Sequence, residues 1–119
     1  MAVGYHGCAQ GTIQHDFIGE VSLAMCASDD YYSVYASMEM SDKVVSFDPY
    51  YDWEMELQRY DYGWKTIDTR TGYITSHSPS NRTFSNVLVT GGNLMRFVTR
   101  FYYRDGEYIT TRVSPDWVR

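Results

Sequence analysis

The sequence predicts an all-β fold: an antiparallel sandwich of two sheets and about seven strands. Three observations carry that expectation. Helical periodicity is absent throughout, while period-two alternation of apolar and polar residues recurs along the chain. Turn chemistry punctuates those stretches, most clearly at Asp105-Gly106 and Gly91-Gly92-Asn93. The length of 119 residues suits one buried core and is too short for two. A single domain over 1–119 is expected, with an N-terminal arm at 1–20 and the sandwich over 21–114.

The first strand is expected at Val21 to Ser28, with Val21, Leu23, Met25 and Ala27 on one face, closed by Asp29-Asp30. Tyr31 to Met40 alternates most cleanly, placing Tyr32, Val34, Ala36, Met38 and Met40 inward. Ser41 to Tyr51 carries Asp42, Asp48 and Pro49 around a short apolar run and reads as a crossing loop with room for one helical turn. Trp53, Met55 and Leu57 alternate against Glu54, Glu56 and Gln58. Tyr60-Asp61-Tyr62-Gly63 then turns the chain into Trp64 to Asp68, a hairpin. Thr69 to Thr83 reads as a long polar connection with a short strand at Tyr73 to Thr75, and Phe84 to Thr90 as a strand. Leu94 to Tyr103 and Tyr108 to Ser114 form the last hairpin across Arg104 to Glu107.

A hydrophobic fraction of 44% excludes disorder, and no apolar run approaches the roughly 20 residues of a membrane helix. The formal charge of -5 disfavours nucleic acid, which is bound by basic surfaces. Twelve Tyr against five Phe favours positions where a ring packs while its hydroxyl stays wet. Cys8 and Cys26 are compatible with a disulfide or with two buried thiols. Cys8 lies in a Gly-rich arm (Gly4, Gly7, Gly11) with little else to anchor it, which favours the disulfide. Met1-Ala2-Val3-Gly4-Tyr5 has neither the basic region nor the apolar core of a signal peptide. The chain is therefore either intracellular or the mature form of a secreted protein, and the second is the expectation.

Trp53 to Arg59, Gly63 to Ile67, Phe84 to Val89, Leu94 to Phe101 and Asp105 to Tyr108 resemble strands C, C′, E, F and G of a fibronectin type III-like domain, the preceding strands being A and B. The chain also resembles small secreted immunoglobulin-like proteins of Gram-positive bacteria, in which a strand ending in a Trp-Lys-Thr hairpin precedes a Gly-containing turn and a strand rich in Arg and aromatics. The resemblance implies an immunoglobulin-like sandwich and no particular activity. Cys8 and Cys26 do not correspond to the intersheet disulfide of antibody domains.

No catalytic constellation stands out, and no cofactor is expected. His6, His15 and His77 lack the spacing of a zinc site, and no nucleophile elbow or phosphate loop occurs. Asp48, Asp52, Glu54 and Glu56 have the density of a calcium site or a glycosidase pair. A ladder of Glu54 and Glu56 against Arg96, Arg100 and Arg104 of the strand-F region accounts for them better. Arg96 and Arg100 with Tyr102 interleaved also suit an anion or glycan. Trp53 is expected in the core. Tyr50, Tyr51, Tyr60 and Tyr62 are expected in loops or turns, as core lids or as contact residues. Asn81-Arg82-Thr83 fits a glycosylation sequon and is read only as a loop marker. The leading expectation is a non-catalytic secreted recognition domain for protein or carbohydrate. The alternative is a small secreted effector: a toxin, an antimicrobial or an inhibitor.

Overall fold

A computed structural model describes residues 4–15, 19–42 and 49–119, without the side chains of His15, Gly19 and Asp42. The described residues form two antiparallel sheets packed face to face. Nine strands occur among them: β1 (Gly4–His15), β2 (Gly19–Asp29), β3 (Ser33–Asp42), β4 (Tyr50–Tyr60), β5 (Trp64–Thr75), β6 (Ser80–Ser85), β7 (Leu94–Tyr102), β8 (Tyr108–Val113) and β9 (Trp117–Val118). One sheet runs β1-β2-β3-β6; the other runs β5-β4-β7-β8, with β9 also paired to β7. The arrangement is compatible with an immunoglobulin-like fold. β2, β3 and β6 take the order of strands A, B and E, and β5, β4, β7 and β8 that of C′, C, F and G. β1 is added outside β2.

Alternation dictates which faces meet. Val21, Leu23, Met25 and Ala27 of β2 and Val34, Ala36, Met38 and Met40 of β3 are buried, as are Tyr51, Trp53, Met55 and Leu57 of β4 and Met95, Phe97 and Phe101 of β7. Each set follows the two-residue period, so each strand gives one face to the core and the other to solvent. The core accommodates few polar groups. Trp53 Nε1 donates to Ser80 Oγ at 3.3 Å, and Ser80 Oγ donates to the Tyr73 carbonyl at 2.7 Å.

Several expectations are corrected. Residues 4–15 are not an arm but a twelve-residue strand, paired with β2 from Gly4↔Asp29 to His15↔Gly19. Its glycines hid it: Gly7, Ala9 and Gly11 carry nothing large to bury, and Ile13 alone of β1 joins the buried core. The connection expected over Thr69 to Thr83 is largely strand: β5 extends to Thr75 and β6 begins at Ser80. Thr66, Thr69 and Thr71 of β5 face solvent, and β-branched residues suit an edge strand. The strand expected at Phe84 to Thr90 lies earlier, at Ser80–Ser85, so Asn81 sits in a strand rather than a loop. Tyr32 is exposed, not inward. Tyr50 and Tyr51 belong to β4. The stretch expected to cross between the sheets falls largely on residues 43–48, which lie outside the described residues, as does the Asp48 carboxylate.

Arginines close both open sides of the sandwich. On one side Arg82 of β6 donates to the Thr71 carbonyl of β5, and Arg70 of β5 donates back to the Thr83 carbonyl of β6. Their guanidinium groups lie over the rings of Trp53 and Phe84, at 4.8 and 4.4 Å. On the other side Arg112 of β8 donates to the Thr12 carbonyl of β1 at 3.1 Å. One end of the molecule is tied by Arg119, whose buried guanidinium reaches Asp29 at 2.7 Å and the carbonyls of Asp30, Tyr31 and Val87. Asp29 also pairs with His6, whose ring stacks on Trp117 at 5.2 Å.

Cys8 and Cys26 are direct register partners in β1 and β2, and they form a disulfide.

Candidate functional site

The outer face of the β5-β4-β7-β8 sheet gathers most of the chemically capable side chains. Its first row, read across the sheet, is Tyr73, Asp52, Tyr102 and Tyr108. The second is Thr71, Glu54, Arg100 and Thr111; the third is Thr69, Glu56, Val98 and Val113; the fourth is Thr66, Gln58 and Arg96. Each row is a set of cross-strand neighbours about 5 Å apart.

In the first row Asp52 stands between two tyrosines on adjacent strands. The Tyr50 hydroxyl donates to Asp52 Oδ1 at 3.1 Å, and the Tyr50 ring stacks on Tyr73 at 5.2 Å, with the Arg104 guanidinium 4.5 Å from its centre. Burial, and then the bond to Asp52, raises the Tyr50 phenol above its ordinary range, so it stays a donor at neutral pH. Tyr102 and Tyr108 meet edge to face at 6.0 Å. Asp52, Glu54, Thr71, Tyr73 and Tyr102 line a shallow cleft of about 410 Å³. Gly72 also lines it, with the place of its absent side chain on the inner face of the sheet. A Cβ there would stand 2.6 Å from the Trp53 ring and 2.5 Å from Arg82.

Lower on the face, polar partners satisfy one another. Glu56 Oε2 accepts from Arg100 at 3.2 Å and Glu56 Oε1 from the Thr66 hydroxyl at 2.9 Å. Arg96 donates to Gln58 Oε1 at 2.8 Å and lies 4.0 Å over the Trp64 ring. The expected ladder is thus reduced to one ion pair among the described residues. Arg96 turns to Gln58 and Trp64, Arg104 turns to Tyr50, and Glu54 is left exposed without a bonded partner. Register alone would pair Glu54 with Arg100, which stand directly opposite. Arg100 instead reaches Glu56 along a diagonal, and Arg96 faces Gln58 rather than a carboxylate.

The structure therefore brings Tyr50, Arg100 and Tyr102 into one surface with Arg96 at its far edge. Tyr51 is separate: it is fully buried between the sheets, and burial raises its phenol strongly. Tyr60 and Tyr62 lie at the opposite end of β4. Tyr73 and Tyr108 were not singled out by the sequence, and Asp52 only as one of a run of carboxylates. The signal that finds them is cross-strand pairing, which needs the register of β5 and β8. Among the described residues no group of three His, Cys, Asp or Glu side chains is placed to hold a metal ion. No protein-family model matches the chain, and no curated protein is similar to it in sequence.

Proposed function

We propose that this chain is a non-catalytic extracellular recognition domain whose ligand is carbohydrate, held on the outer face of the β5-β4-β7-β8 sheet. One observation carries the reading: two carboxylates, Asp52 and Glu54, are aligned in a shallow cleft flanked by the Tyr73 and Tyr102 rings. Pyranose rings have apolar C–H faces that pack on aromatic rings, and a rim of hydroxyls that donate to carboxylates. The Asp52 oxygen not used by Tyr50, the bare Glu54 and the Thr71 hydroxyl supply acceptors at the spacing of neighbouring strands. The cleft volume falls within the roughly 300–1,000 Å³ typical of small-ligand sites. A disulfide is consistent with an extracellular location.

The test is a glycan array followed by titration of bound sugars under NMR observation. Amide shifts are expected at Asp52, Glu54, Thr71, Tyr73 and Tyr102. Asp52→Asn should weaken binding about tenfold, the worth of one hydrogen bond to a charged group. Tyr73→Ala with Tyr102→Ala should abolish binding while the melting temperature holds. Binding that survives both substitutions would remove the cleft from consideration.

A further inference from the structure

Six of the thirteen large hydrophobic side chains exposed among the described residues collect at one end of the molecule, opposite the cleft. Strand pairing puts them there. The β2–β3 turn, the β4–β5 turn, the segment between β6 and β7, and β9 all reach this end. They bring Tyr31, Tyr32, Tyr62, Leu88, Val89 and Val118. Tyr32 and Leu88 are each 67% exposed, and Tyr62 is fully exposed. Tyr62 also holds φ at 55°, a left-handed conformation that suits glycine and disfavours a bulky residue. Folding gains little from that ring, so its place there asks for another reason.

Among the described residues most charged groups at this end are engaged, Asp116 excepted. Asp30 accepts from the Tyr35 hydroxyl and from the Tyr32 and Ser33 amides, which hold its carboxyl below the usual range. Asp29 is taken by His6 and Arg119, Arg59 by the Leu88 carbonyl, and Asp61 lies 3.8 Å from Lys65. Covering this end therefore desolvates few unpaired charges, which complements an uncharged apolar partner. Its size narrows the choice. Twelve residues of β5 span about 40 Å, so the strands run along the 47 Å axis and the end face measures about 29 × 19 Å. That is a small cross-section beside the roughly 800 Å² of accessible surface that each partner buries in a stable protein interface. A bilayer imposes no such minimum, and tyrosine is a residue of the membrane–water interface.

We propose that this end docks reversibly on the interfacial layer of a neutral lipid bilayer, the rings of Tyr31, Tyr32 and Tyr62 and the side chains of Leu88 and Val118 entering the headgroup region. The net charge of -5 and the open Asp116 carboxylate near Val118 direct it to zwitterionic rather than anionic lipid. The site is independent of the carbohydrate cleft.

The probe is phosphatidylcholine vesicles with the full chain, read by co-sedimentation and by the emission of Trp64, which packs edge to face on Tyr60 at 5.4 Å beside the docking end. Wild type should co-sediment with a blue shift. Tyr62→Gly with Leu88→Ser should lower the partition coefficient at least about tenfold with the melting temperature unchanged. Tyr32→Ser with Val118→Ser is the second variant, should the first fail to fold. The proposal is overturned if wild type does not bind, if a folded variant binds as well as wild type, or if binding requires anionic lipid. It is overturned too if wild type self-associates without lipid and the substitutions abolish that association, because the end is then a protein interface.

Discussion

Gly72 shows how one residue joins core and surface. It lies opposite Trp53 on the inner face of an edge strand, where its missing side chain lets Arg82 settle over the indole. An alanine there would press into the Trp53 ring, the far edge of a fully buried and bonded side chain. Gly72→Ala should lower stability by about 1–3 kcal/mol, measured by urea denaturation, although alanine is otherwise the better strand residue. The same substitution should disturb the cleft above it, so sugar affinity and stability should fall together. An unchanged denaturation midpoint would mean that Trp53 and Arg82 give way freely.

Among the elements, β1 and β5 explain how far the sequence could be read. The two-residue period of β2, β3 and β4 was plain because each buries four apolar residues against one sheet face, and β7 and β8 were marked by their Asp-Gly turn. β1 buries only Ile13, and half of β5 faces solvent, three of those residues being threonine, so neither carries the apolar signal by which strands are recognised. Tyr50 and Tyr51 looked like loop residues because they precede a tryptophan strand beside Pro49 and between Asp48 and Asp52. Their adjacency in sequence concealed opposite fates, one in the core and one on the cleft. The disulfide, by contrast, was legible, because Cys8 lies in a Gly-rich segment with little else in its sequence to anchor it. The corresponding prediction is that reduction costs about 3 kcal/mol. It should release amide-exchange protection in β1 first while β4 and β7 stay protected. Simultaneous loss across both sheets would show that β1 is integral to the cooperative unit.

At the scale of the whole molecule, the two sheets present four outer strands, and three arginines bridge the gaps between them at Thr12, Thr71 and Thr83. Unpaired strand edges are templates for unwanted pairing, and cationic side chains are a common guard. Arg70→Ala with Arg82→Ala should increase concentration-dependent association, visible by light scattering. It should do so beyond what the lost ring contacts explain, and an Arg→Lys pair should rescue it in part. A sandwich sealed in this way offers little backbone for a visiting chain to copy. Whatever it recognises must be read by side chains on its faces and ends, so its specificity can be rewritten by surface substitution while the scaffold stays as it is.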